Sequence, residues 1–316
     1  MTKKKTNSVY GVSVGSDYWI SYTDIMTGLL LIFIIIIMGL ILSLGKAKQE
    51  AEKEKARYEE KLALLQKEKE AVQDVYEGHQ KNIDALVQAI EKNLRDKGIY
   101  VTLDRDTKTI HIANDSLGFV KGKYEIDQAY VNVIYTMRDV IYSTLLEEEK
   151  HIGSLDTVFI EGHTDKDPYY NDKLKGNWGL STLRAISFWE KLIDDGENSN
   201  LDDLMARCAS IGQGQSAQLS SRLKKSCYFI NLRNSENKNM FSVSGYAASR
   251  PHECALEYMT DGKFSENCQK QIYGIKEGGS IQEKTDALNR RIDIRFVPKS
   301  PTAKEIQDMM REKASK

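Results

Sequence analysis

Two carboxylates, one arginine and four cysteines are the side chains in this sequence whose surroundings could do chemistry. Asp24 stands directly before residues 25–44, none of which is charged, with Tyr18, Trp19 and Tyr22 just ahead of it. An acid inside a membrane span costs about 2.5 to 3.5 kcal/mol, so a chain keeps one there when it pairs, lines a wet path or carries protons. At the interface the same residue can be a plain polar group or a helix cap. Further on, Asp165 ends an apolar run and Arg184 lies in the next helical pattern. Such a pair can accept from an ammonium and fork onto a carboxylate, which suits a zwitterion, and either member can equally be a surface ion-pair former. Cys208, Cys227, Cys254 and Cys268 all follow the apolar run at a distance, which favours an oxidising compartment for that part of the chain. No C-x-x-C spacing points to zinc, and there is no G-x-S-x-G, Walker loop or H-E-x-x-H. The expectation is a non-enzyme without metal or cofactor.

These residues sit on elements that the patterning makes legible. Residues 25–44, at about 1.5 Å per residue, cross a hydrocarbon core of roughly 30 Å, so 18–45 is expected to be an uncleaved transmembrane helix after a polar tail, 1–17. Residues 46–97 are rich in Lys, Glu, Gln and Ala. A 3,4 spacing runs through Tyr58, Leu62, Leu65, Lys69, Val72, Tyr76, His79, Ile83, Leu86 and Ile90, which predicts a helical linker with a heptad seam that two parallel copies would bury. A single solvated charged helix is the alternative. His79 has no ligand partner at i+3 or i+4 and reads as a polar break in the seam. From 98 the pattern alternates: IYVTLD and KTIHIA predict a hairpin, 127–150 a helix, TVFIEGH a buried strand, 178–193 a helix, and IDIRFVP a closing strand. Together they predict an α/β domain over 98–298, followed by a tail, 299–316. Net charge is -1, which gives no electrostatic reason to expect nucleic acid.

The segment W-I-S-Y-T-D-I-M-T closely resembles the signature of the B-type subunits of ion-driven stators, the MotB family. That resemblance implies Asp24 as ion carrier, with Ser21, Tyr22 and Thr27 along the ion path. The pieces Glu161-Gly162-His163-Thr164-Asp165, Asn177-Trp178-Gly179-Leu180-Ser181-Thr182-Leu183-Arg184-Ala185 and Asn289-Arg290-Arg291 resemble the OmpA-like peptidoglycan-binding domain. Carried over, Asp165 and Arg184 would hold the diamino acid of the wall peptide, Asn177 would line the pocket and Arg291 would support it; His163 keeps the reading of a strand-end histidine bonded to backbone.

The sequence departs from that family in two long stretches, each with one cysteine pair, and both look like insertions. Local disulfides 208 to 227 and 254 to 268 are suggested, although four cysteines permit three pairings. The resemblance further implies a homodimer threading a ring of five A-type subunits in a bacterial inner membrane, N-terminus cytoplasmic and C-terminal domain periplasmic. Lysine and arginine counting does not support that orientation, since Lys3, Lys4 and Lys5 precede the span while Lys46, Lys48, Lys53, Lys55 and Arg57 follow it. The linker and the cysteine-bearing insertions resemble the B protein of Zorya antiphage systems more than a flagellar stator. A flagellar stator and a plain envelope anchor are the alternatives.

Overall fold

The structure, a computed structural model, describes residues 16–170, 175–197, 200–210, 220–275 and 279–315. Most of the expected tail 1–17, and the side chain of Ser21, lie outside the described residues. The chain divides into two compact parts, 1–69 and 70–316. A single helix, α1 (Ser16–Asp96), contributes to both.

The first part is the beginning of α1. Among the described residues it holds one stretch long and apolar enough to cross a membrane; no residue of that stretch is buried by protein, and Leu30, Phe33, Ile35 and Leu40 on different sides of the helix are all exposed. A helix apolar all round needs an apolar solvent. Past residue 45 the surface turns charged, with Lys48–Glu52 and Lys55–Glu59 pairs one turn apart.

The second part is built on a five-stranded sheet, ordered β1 (Thr102–Asp104), β2 (Thr109–Ala113), β5 (Arg291–Pro298), β3 (Leu155–Gly162), β4 (Phe241–Gly245). All neighbours are antiparallel except β3 and β4, which are parallel. Between β3 and β4 the chain passes through α4 (Asn177–Leu192), α5 (Leu201–Ser210) and α6 (Ser221–Asn231); α2 (Val131–Glu147) and the single turn α3 (Glu149–Ile152) precede β3. Because side chains alternate along a strand, the two faces differ sharply. On one face Ile110 and Ile112, Val158 and Ile160, Ile292, Ile294 and Phe296 join Ile134 and Met137 of α2 and Phe188 of α4 in one core. On the other, pairing aligns His111, Asp293 and Glu161 in a row across β2, β5 and β3.

Three expectations change. Ile83, Leu86 and Ile90, assigned to a seam between two copies, are fully buried in this chain's own core with Val87 and Leu94. The last turns of α1 therefore belong to the domain, whose compact part starts at 70, not 98. Heptad spacing marks an apolar stripe without saying what covers it. His79 is no exposed break either: Nδ1 lies 3.1 Å from Ser154 Oγ and Nε2 lies 3.5 Å from Glu305 Oε1. Glu305 belongs to α10 (Ala303–Ala314), a helix where a tail was expected, closed at its start by a Thr302–Glu305 capping box.

The two insertions are built differently. Cys208 on α5 is bonded to Cys227 on α6, and both cysteines sit in the main core. Cys254 on α7 (Glu253–Asp261) is bonded to Cys268 on α8 (Glu266–Gly274), and with Ile272, Ile275, Ala287 and Leu288 they make a separate small core completed by α9 (Ile281–Asn289).

Candidate functional site

The end of β3 and the start of α4 are brought together by two glycines. Gly162 and Gly245 are register partners on β3 and β4. A Cβ on Gly162 would stand 1.9 Å from the Ser181 carbonyl oxygen, and one on Gly245 would stand 2.4 Å from the Thr182 nitrogen. The first turns of α4 thus lie directly on the sheet, where Ser181 Oγ accepts from the Ala247 N–H at 3.0 Å. That contact fixes both the N-terminus of α4 and the segment Gly162–Asp165 beside it.

Asp165 is buried, and its Oδ2 accepts from Arg290 Nη1 at 2.7 Å. Asn177, the first residue of α4, donates through Nδ2 to the carbonyls of Asp167 at 2.9 Å and Asp165 at 3.4 Å. Arg184 is also buried: Nε donates to the Lys123 carbonyl at 3.0 Å, Nη2 to that of Val120 at 3.3 Å, and the guanidinium lies over the Phe119 ring. Lys121, on that same 119–123 loop, pairs with Asp167 at 3.2 Å. The structure therefore joins Asp165 and Asn177 through one strand-end loop and seats Arg184 under the loop facing it, with Lys121 and Asp167 bridging the two.

Arg291, expected to support this pocket, does not join it. Its Nε donates to both oxygens of Asp293, at 2.9 and 3.0 Å, on the polar face. The cation that reaches Asp165 is the neighbouring Arg290, which the N-R-R run contained but did not single out. Asp293 also takes His111 Nδ1 at 2.7 Å and faces His163 Nε2 at 3.0 Å. Burial pushes the Asp293 carboxyl up, but Arg291 and His111 together hold it well below the usual carboxylate range. Burial lowers His163, which stacks on Tyr246 and is neutral near pH 7. Glu161, beside Asp293 in the row, accepts from Arg295 Nε at 3.0 Å. Glu161, His163 and Asp293 are close enough to share an ion, but each carboxylate already holds a guanidinium, which disfavours a cation there.

At the other end of the chain, Asp24 lies on exposed helix surface ahead of the apolar run. Thr27 Oγ1 folds back to the carbonyls of Thr23 at 2.8 Å and Asp24 at 2.9 Å. Tyr22 is exposed.

No protein-family model matches the chain. Motility protein B of Bacillus subtilis (strain 168) is 27% identical over 126 residues, 39% of this chain and 44% of that protein. The chain thus spans less than half the length of the curated relative it matches. Similar solved structures include a cell wall anchor of the T6SS from Pseudomonas aeruginosa (16% identity, 66% of this chain and 97% of that one, TM-score 0.34). A putative MotB like protein from Desulfovibrio vulgaris (13%, 72% and 98%, 0.36) and the periplasmic domain of Helicobacter pylori MotB, residues 78-256 (13%, 65% and 85%, 0.34), are similar as well. In sequence this chain is similar to a MotB-type protein, and its architecture is a mixed α/β sheet domain behind an apolar helix long enough to cross a membrane.

Proposed function

We propose that this chain is the peptidoglycan-anchored B-type subunit of a proton-driven membrane motor, and within that class a component of a Zorya-type antiphage system. The observation that carries the reading is Asp24, an acid fronting an apolar span, on the same chain as a domain in which Asn177 binds the Asp165 carbonyl and Arg184 holds the 119–123 loop. Two copies sit within a ring of five A-type subunits, with the N-terminus in the cytoplasm and the domain in the periplasm. Asp24 takes up and releases protons, each worth about 2.3 kcal/mol per 100 mV, so work requires repeated transfers. At the wall, an ammonium of the stem peptide takes the place that Arg290 holds beside Asp165, and Arg184 supplies the cation for the peptide carboxylate.

The test is Asp24→Asn in the host, co-expressed with its A-type partners. The amide keeps shape and hydrogen bonding but carries no exchangeable charge. Complex formation should persist while phage protection is lost. Full protection by the variant sinks the motor reading and leaves an anchor, and loss of swimming instead of protection moves the chain to the flagellar branch. For the wall site, Asp165→Ala and Arg184→Ala should each release the full-length protein from purified peptidoglycan, at a cost of about 2 to 5 kcal/mol.

A further inference from the structure

A groove on the domain, separate from the Asp165 loops, runs between the β1–β2 hairpin and the second insertion. Two of its lining side chains each carry one buried donor atom without an acceptor among the described residues. Arg291 is 6% exposed; Nε serves Asp293 and Nη2 donates to the Arg250 carbonyl at 3.2 Å, but Nη1 has no partner among the described residues. His252 is 2% exposed and caps α7, its Nδ1 accepting from the Cys254 N–H at 3.2 Å. Burial holds His252 well below its ordinary pKa, so the ring is neutral and its one proton sits on Nε2, the nitrogen that likewise has no partner among the described residues. A buried donor left unmade is costly, so native structures rarely keep one without water, an ion or a ligand opposite it.

What sits opposite must be an acceptor. Arginine does not lose its proton and His252 offers only N–H, so a metal ion finds no lone pair on either. The rim adds Lys97, Arg105 and a Lys270 that is paired with Glu266 at 2.9 Å, against Asp115 and a Glu91 paired with Arg95, so cations still outnumber acids along the lining. That balance favours an anion over a neutral carbonyl or a lone water. Asp293 does not compete for the two open donors, being engaged by Arg291 Nε, His111 and His163. His111, whose ring centroid is 5.0 Å from that of His252, lines the same groove.

We propose that this groove is an oxyanion-binding site, in which Arg291 Nη1 and His252 Nε2 donate to the oxygens of a carboxylate or phosphate group on a ligand entering past Lys270. The site stands independently of the wall-binding reading, since it uses neither Asp165 nor Arg184.

The test follows ring resonances of histidine-labelled full-length protein in detergent micelles, a spectrum with five histidines. Acetate and inorganic phosphate are each titrated against chloride at constant ionic strength. Both His252 and His111 should shift saturably with at least one oxyanion and not with chloride, and the tighter of the two identifies a carboxylate or a phosphate source. His252→Asn keeps an N-cap acceptor in place of Nδ1 but is shorter and leaves no group at the Nε2 position, and should weaken binding, read at His111, by about tenfold or more. Lys270→Gln, a change at an exposed residue, should weaken it at low salt only. No saturable shift with either oxyanion, or unchanged affinity in His252→Asn, overturns the proposal and assigns the space to ordered water.

Discussion

Replacing Gly162 or Gly245 with alanine tests whether the α4–sheet contact positions the candidate site. At Gly162 the new Cβ would meet the Ser181 backbone oxygen at 1.9 Å, roughly 1.5 Å short of ordinary contact in a close-packed interior. At Gly245 it would meet Thr182 Oγ1 at 2.3 Å and its nitrogen at 2.4 Å. In both cases the obstacle includes helix backbone, which cannot rotate away as a side-chain end can. The helix must lift or the strand must bend, at about 1 to 3 kcal/mol for overpacking. Lifting α4 also breaks the Ser181–Ala247 hydrogen bond, worth about 1 kcal/mol. The total, about 2 to 4 kcal/mol, should lower the thermal midpoint of the full-length protein by several degrees or more. It should also reduce retention on peptidoglycan, because Asn177 and Arg184 ride on the displaced helix. Gly153→Ala is the control, since its Cβ would meet nothing within 4 Å and its φ is -60°. If both sheet glycines accept alanine with the control's melting curve and undiminished retention, the geometric argument is wrong.

Three other outcomes are expected. Glu305 is raised by burial but held down to about 2 by Lys299 and Thr302, from 4.5; a depressed carboxylate stabilises above its unfolded value, and that contribution is lost as pH falls through the folded one. With its side chain 31% exposed, solvent screening leaves about 1 kcal/mol of it, so Glu305→Gln, which keeps the capping box, should cost about that at pH 7, with the difference shrinking below pH 4.5 and vanishing only below the folded value of about 2; a pH-independent difference in unfolding free energy would count against the ion pair. Replacing Cys254 and Cys268 together with serine should raise hydrogen exchange in α7–α9 and spare the sheet, because their core is separate. Replacing Cys208 and Cys227 together should lower global stability by about 3 kcal/mol, since both sit in the main core; denaturant unfolding distinguishes the two.

Strands and helices of the domain are legible because their periods differ: K-T-I-H-I-A alternates into β2, and the 3,4 spacing of Ile134, Met137 and Ile141 gives α2. The end of the linker was misassigned because Ile83, Leu86 and Ile90 keep the same spacing whether a second chain or this chain's own sheet covers them. At N-R-R the residue types announced a cation near the site, but which arginine reaches Asp165 depends on where β5 begins. Arg290 ends α9 while Arg291 opens the strand and points to the polar face. The helix α10 is marked in the sequence by T-A-K-E, a capping-box spacing at Thr302 and Glu305 that lies beyond the last strand.

Where the second insertion leaves the sheet domain and where it returns, the His252 N–H donates to Asn289 Oδ1 at 2.8 Å. The chain thus departs and comes back at one point, tied there like a drawn purse string. Everything between, the α7–α9 unit with its own disulfide and its own small core, hangs from that knot. Such an appendage can lengthen, shrink or diverge in sequence without disturbing the strands that flank it. It also supplies one wall of the groove that holds Arg291 and His252, so a change of its length or packing reshapes that groove and leaves the sheet in place.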